Sequence, residues 1–318
     1  MEQQKGSLIS TMSNYTAVAY FGGIPPNNNN PEKPLILNNF LQGVRTSGDN
    51  AIMHQGFNVL DCDVALIQGF VHEHGKSAPH LQLRQRAVEH QKQKGKRSLI
   101  VDSNLFLYAD PGNSRHYLRY SFDGVFPTTG YYFTDEIDPI RWQKISLALG
   151  IHLKPYRQTG NHVLICCQRN GGWSMKGVPV QTWLQDTIRR VQSLTDRPII
   201  VRPHPGDKKW RNYINVNNFK NVTLSTKHIK EDLQNAWATV LHNSSPAVAS
   251  AIEGVPVFLT DPQIQTSQAA EVSNTNLKRL EDPKMFDRQA WIEKLSMCHW
   301  NFDELKSGEA WKFFRKFI

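Results

Sequence analysis

Val163-Leu164-Ile165-Cys166-Cys167, running straight into Gln168-Arg169-Asn170-Gly171-Gly172-Trp173-Ser174, is the stretch on which the fold turns. Five apolar residues in a row predict a strand buried on both faces, as in a parallel sheet covered by helices. The glycines that follow let backbone amides approach a ligand closely. Downstream the same alternation repeats. Val180–Leu194 predicts a helix with Trp183, Leu184, Ile188 and Val191 on one face. Strands are expected at Ile199–Arg202, Val222–Leu224, Thr239–Leu241 and Val255–Leu259, and helices at Ile229–Ala236 and Pro246–Ile252. That order predicts a doubly wound α/β domain.

Working back toward the start, the pattern recurs less cleanly. Thr16–Phe21 reads as a strand and Pro25–Pro34, an asparagine run between prolines, as a loop. Val64–Phe70 and Ser98–Val101 are expected strands, and Pro79–Lys94 a helix stopped by Gly95. Tyr117–Phe133 is aromatic and reads as irregular strands or a substrate-facing insertion. The turn-rich Leu149–Asn161 suits a linker between domains. The expected organisation is therefore two Rossmann-like domains, 1–155 and 156–285, with a cleft between them, and a helical tail at 286–318. In that tail Arg288–Leu295 is helix-like, with Trp291, Trp300 and Trp311 around it.

Composition sets the outer bounds. The chain has 318 residues, 39% hydrophobic and 20% charged, which suits a globular protein with a sizeable core. No apolar run approaches the length of a membrane span, and no signal segment opens the chain, so a cytoplasmic location without membrane association is the expectation. Cys62, Cys166, Cys167 and Cys298 lack metal-binding spacing and are expected as free thiols. The net charge of +9 favours a polyanionic partner or simply a solvated basic surface.

Three strand ends carry the chemistry. Ligands of open α/β sheets bind outside the carboxyl ends of the strands. Arg169 can neutralise a phosphate there while Gly171 and Gly172 admit it; the segment matches neither a dinucleotide fingerprint nor a Walker loop. Arg202-Pro203-His204-Pro205-Gly206-Asp207 places an arginine fork and an imidazole at the next strand end, held by two prolines. His242-Asn243-Ser244-Ser245-Pro246 combines a strand end with a helix start, where Ser244 or Ser245 is expected to cap. Each segment also has a plain reading, as a glycine turn, a proline exit and a helix cap.

The series Arg202-Pro203-His204-Pro205, Asn243-Ser244-Ser245 and Gly254-Val255-Pro256-Val257-Phe258 resembles the C-terminal half of GT-B glycosyltransferases related to capsule-polysaccharide and Kdo transferases. The likeness covers roughly residues 163–262. The ending, with Trp291, Trp300, Glu304, Ser307-Gly308 and Trp311, resembles the tail of glycosyltransferase-like proteins of bacteriophages. The resemblance implies a nucleotide-sugar donor, with a UDP-sugar favoured, and no permanently bound cofactor or metal. It implies that Arg202, His204, Ser244 and Ser245 contact the diphosphate and Gly171–Gly172 the sugar side. Asp102 resembles the acidic residue of the family's acidic-x-glycine element and is the implied base, although Asn104 replaces the glycine. Ser250 stands where relatives often carry a ribose-binding glutamate, which leaves the nucleotide open.

For the acceptor the sequence offers two directions. His72, Glu73, His74 and His80 read as acceptor contacts, with His72 as a second candidate base, or as a solvated loop with incidental histidines, rather than as zinc ligands. Lys76, Arg84, Arg86, Lys92, Lys94, Lys96 and Arg97 form a basic N-terminal stretch, the footprint of a nucleic-acid binder. With the phage-like tail this suggests double-stranded DNA carrying a 5-hydroxymethylated pyrimidine, in a host cytoplasm, with Tyr117, Tyr120, Phe122, Tyr131, Tyr132 and Phe133 as stacking surfaces or as core. The alternatives are a capsule or cell-surface glycan, or a non-catalytic phosphate- or nucleic-acid-binding protein of the same fold.

Overall fold

The computed structural model describes residues 14–26, 31–71, 77–261 and 267–318. They form two compact units, one from the described part of Met1–Val101 with Trp300–Ile318, the other from Asp102–His299.

The first unit begins with β1 (Thr16–Tyr20), α1 (Glu32–Thr46), β2 (Asn50–His54), β3 (Val64–Gln68), α2 (Pro79–Gln93) and β4 (Arg97–Asp102). The strands lie parallel in the order β4-β3-β1-β2. The small and branched apolar residues of β1 and β3 are buried, as helix-covered parallel strands require. β2 is the edge strand and leaves Ile52 and Met53 partly exposed, so it lacks the apolar run that marks its neighbours. α1 starts inside the expected loop: Pro34 sits in its first turn, where a proline's missing N–H has no helical partner to lose.

The second unit opens with β5 (Leu118–Phe122), which is fully buried. Tyr117, Tyr120, Phe122, Tyr132 and Phe133 are at most 2% exposed, so this aromatic segment is core and offers no stacking surface; Tyr131 is half-buried. α3 (Pro139–Leu149) is capped by Asp138, which accepts from the Ile140 amide at 2.9 Å, and ends at left-handed Gly150. The expected linker beyond it is tied down, with the Lys154 and Arg157 amides each donating at 2.9 Å to the Ile252 and Gly254 carbonyls.

Then come β6 (His162–Cys166), α4 (Val180–Gln192), β7 (Ile199–Arg202), β8 (Val222–Leu224), α5 (Ile229–Asp232), β9 (Ala236–Leu241), α6 (Pro246–Ile252) and β10 (Val257–Leu259). All five strands are parallel, in the order β10-β9-β6-β7-β8. α4 covers the sheet with Val180, Trp183, Leu184, Ile188 and Val191, each such side chain contributing roughly 1.5–3 kcal/mol by burial. α5 is shorter than its apolar pattern predicts, because left-handed Asn235 turns the chain directly into β9. The alternating α/β class with two Rossmann-like parallel sheets is as expected from the sequence.

α7 (Gln289–Met297) closes the second unit, and α8 (Phe302–Lys306) and α9 (Glu309–Phe314) belong to the first. Buried Asp49 accepts from Trp311 Nε1 at 2.7 Å and pairs with Arg315 at 2.8 Å, which anchors this segment. α1 and α8 approach closely at Gly43, where a Cβ would collide with the Leu305 carbonyl.

Among the described residues no helix is long and apolar enough to cross a membrane. Cys62, Cys166, Cys167 and Cys298 are free, Cys62 being half-buried and the others buried; burial pushes the Cys62 thiol up to about 12.

Candidate functional site

Strand order locates the crevice in the second unit. From β6 the chain winds outward through β7 to β8, then returns to the other side of β6 with β9 and β10. The loops after β6 and β9 therefore leave in opposite directions, and such a switch point is where open α/β sheets bind ligands. The three segments singled out from the sequence sit here, on neighbouring strands.

A hydrogen-bonded network joins them. Buried Gln168, after β6, donates from Nε2 to Ser174 Oγ at 2.7 Å and to Asn243 Oδ1 after β9. Asn243 Nδ2 donates to Asp261 Oδ2, beyond β10, at 2.7 Å. Buried Asp207, after β7, accepts from the Asn170 and Lys209 amides at 3.0 Å and from the Tyr213 hydroxyl. Those bonds hold its carboxyl below the usual range, although burial pushes the other way. A network of this kind, satisfied throughout, fixes one arrangement of all four loops.

Cations stand near this network: Arg169 and Arg202 act on His204, and Lys176 on His242. Arg169 and Gly171 are exposed. Gly171 is left-handed, at φ 68°, with open space where a side chain would stand; at Gly172 a Cβ would come within 2.9 Å of the Arg169 carbonyl. His204 Nδ1 accepts from the Gly206 amide at 3.0 Å, so the neutral ring carries its proton on Nε2. Burial first, then Arg169 and Arg202, hold the His204 pKa below its ordinary value. His242 is lowered by burial and by Lys176, against the opposing pull of Asp261, and its Nδ1 lies 3.4 Å from Thr260 Oγ1. That hydroxyl also receives Trp183 Nε1 at 2.8 Å. Both imidazoles are thus neutral near pH 7, beside exposed cations, in a setting suited to an anionic group that accepts hydrogen bonds.

Other expectations change. Arg202 is not an open phosphate fork: its Nη1 pairs with Asp232 at 2.8 Å and donates to the Lys227 carbonyl. Ser245 occupies the N-cap of α6 yet makes no side-chain cap bond, and Ser244 Oγ is buried without a partner. The cap reading of the two serines therefore fails, because Ser245 already has helical backbone angles, whereas a capping residue is usually extended.

Asp102 ends β4 with its side chain 30% exposed, and Arg119, 3% exposed, donates from Nη2 to its Oδ2 at 2.8 Å. His72, His74 and Lys76 lie outside the described residues. Arg84 does not belong to a basic surface: it is 7% exposed, with Nε donating to the Gly23 carbonyl at 2.8 Å and Nη1 to that of Phe70 at 3.2 Å. Lys94 is exposed but lies 4.0 Å from Asp61, which also holds His90 at 2.6 Å, and Lys96 pairs with Asp63. Arg97 is half-buried at the start of β4. The basic N-terminal stretch is thereby partly internal and partly neutralised. Among the described residues no cluster of three histidines, cysteines or carboxylates is placed to hold a metal.

Asp261 and Thr260 complete the site with little sequence signal beyond following a strand. Asp207 was visible in its motif, but its links to Asn170 and Tyr213 are tertiary.

No protein-family profile matches the sequence, and no curated protein matches it. Among solved structures, the chain is similar to the β-Kdo 2,4-transferase part of KpsC from Thermosulfurimonas dismutans, at 13% identity and a TM-score of 0.55, covering 92% of this chain and 99% of that one. The β-Kdo 2,7-transferase of the same organism's KpsC matches at 10% identity and a TM-score of 0.49, covering 93% and 99%. The first likeness shows the glycosyltransferase-like GT-B fold.

Proposed function

We propose that this protein is a glycosyltransferase that moves a sugar from a nucleotide-sugar donor to a glycan hydroxyl. The observation that carries the reading is the switch point between β6 and β9, where Gln168 and Asn243 tie together the loops that bear Arg169 and His242, with His204 on the loop after neighbouring β7. Arg169 is the cation offered to the donor phosphates, the glycine turn admits them, and the Nε2–H of His204 donates to a phosphate oxygen. Arg202 serves this arrangement by holding Asp232. Ser244 and Ser245, between β9 and α6, are further candidate donor contacts.

In the reaction, the acceptor oxygen attacks the anomeric carbon while the bond from that carbon to the phosphate oxygen breaks. The electron pair leaves with the phosphate, whose growing charge Arg169 stabilises. Asp102, oriented by Arg119, takes the acceptor's proton, a step typically worth about 10²–10⁴-fold. We place the donor half in 156–285 and the acceptor-binding part before it, as the sequence suggests.

A glycan acceptor is preferred over modified DNA for a specific reason. The cationic stretch that argued for DNA contains a buried arginine and paired lysines, and the aromatic segment is core. The test is incubation with UDP-, GDP- and CMP-sugars together with oligosaccharides or hydroxymethylated DNA, followed by mass analysis. Sugar appearing on an oligosaccharide, and lost on Asp102→Asn, supports the reading. Sugar on DNA alone overturns the acceptor, and no transfer from any donor overturns the enzyme.

A further inference from the structure

α4 carries a second feature, away from the strand ends. Gln181, Gln185 and Arg189 stand four residues apart and form one ridge on the helix, rising about 12 Å along its axis. Opposite this ridge runs the segment containing Asn215, Asn218 and Phe219, and the two flank a half-open pocket of about 480 Å³. That volume falls within the roughly 300–1,000 Å³ typical of small-ligand sites.

The lining is unusual in its chemistry. It contains four side-chain amides, one aromatic ring, one cation and no carboxylate. Gln181 Nε2 reaches the Asn215 carbonyl at 3.5 Å, while its Oε1 is buried with no partner. Gln181 is thus held at the pocket wall through its Nε2, while Gln185 is half-buried and Asn218 exposed. Phe219 packs against the core, and Arg189 lies 5.8 Å from the centre of its ring. Arg189 is also paired with Asp186 at 3.0 Å, so the pocket carries little net charge.

We infer that this pocket is a binding site for a neutral oligosaccharide, separate from the donor crevice. Amides pair a donor with an acceptor at a fixed spacing, which matches adjacent sugar hydroxyls, and the half-buried Phe219 supplies apolar surface beside them. A phosphate or nucleotide fits poorly, because the one cation is already paired. If the protein transfers sugar as proposed above, this site holds the acceptor chain away from its reacting end; that role rests on the proposed function, whereas the binding does not.

The test uses the full chain without nucleotide, titrated with a panel of neutral α- and β-linked gluco- and galacto-oligosaccharides. Side-chain amide resonances are followed by nuclear magnetic resonance. The expected result is saturable shifts of the Gln181, Gln185 and Asn218 amides by at least one panel member at millimolar concentration. The double variant Gln185→Ala/Asn218→Ala, both at the surface, weakens that binding at least about tenfold with unchanged melting. Absence of shifts with every oligosaccharide, or shifts that persist undiminished in the double variant, overturns the inference. Donor binding at Arg169, measured separately with nucleotide sugars, reports on the proposed function independently.

Discussion

The molecule contains the same topological device twice, with opposite contents. In the first unit β1 lies between β2 and β3, so the loops after β1 and β3 part as the loops after β6 and β9 do in the second. Among the described residues, the first parting is crossed by the Arg84 guanidinium, bonded to the Gly23 and Phe70 carbonyls. Left-handed Gly69 makes room for it: a Cβ there would come within 2.7 Å of Nη1. At the second parting the buried bridge is made of neutral amides, and the cation, Arg169, stands above it in the open. Topology supplies the crevice in both units. Side chains decide whether it is plugged or left for a ligand.

The comparison can be broken most forcefully at its polar bridge. Asn243→Leu removes the acceptor that Gln168 uses across the switch point and one donor to the buried Asp261 carboxylate, and is expected to destabilise the protein by about 3–5 kcal/mol. Chemical unfolding measures it. Next is the plug: Arg84→Met removes the guanidinium donors to the Gly23 and Phe70 carbonyls, for a loss of about 2–3 kcal/mol, with nucleotide-sugar affinity unchanged. A comparable fall in that affinity would show that the two crevices are not independent in function.

Arg169→Ala reverses that pattern. Removing one charge-assisted contact is worth about 1.5–3 kcal/mol, read as donor affinity reduced by roughly tenfold or more, while the unfolding midpoint stays put. Of similar size, about 2 kcal/mol between pH 7 and pH 5, is the effect expected in pH dependence. His299 is fully buried and its pKa is pushed down to about 3, chiefly by burial. Between pH 6.5 and 3 the unfolded chain therefore binds a proton that the folded one refuses, and stability falls as the pH drops through that window. The slope is at most about 1.4 kcal/mol per pH unit for one group. Burial and neighbouring cations lower His204 and His242 in the same direction. Urea midpoints at pH 7 and pH 5 should separate for the wild type and separate less in His299→Gln, where the other lowered histidines still contribute.

The sequence displayed the second unit better than the first, and the reason is local. β7, β8 and α6 have the bounds that their apolar runs predict, because each is a short buried run between strong breakers. α1 and β2 are hidden: the helix starts among prolines, and the strand at the sheet edge is largely solvated. The strand ends bearing Arg169, His204 and Asn243 were legible for the same local reason. The state of their side chains was not. The pairing of Arg202 with Asp232, the plug formed by Arg84 and the link from Asn243 to Asp261 join residues distant in sequence, and no window of neighbouring residues encodes them.

The central claim is that the β6–β9 crevice holds a nucleotide-sugar donor. Calorimetric titration of the wild type, Arg169→Ala and Arg84→Met with a panel of UDP-, GDP- and CMP-sugars tests it most directly. The account predicts that at least one donor binds the wild type and Arg84→Met alike, and Arg169→Ala at least about tenfold more weakly. Binding that survives Arg169→Ala undiminished, or no binding by any of the donors, would contradict it.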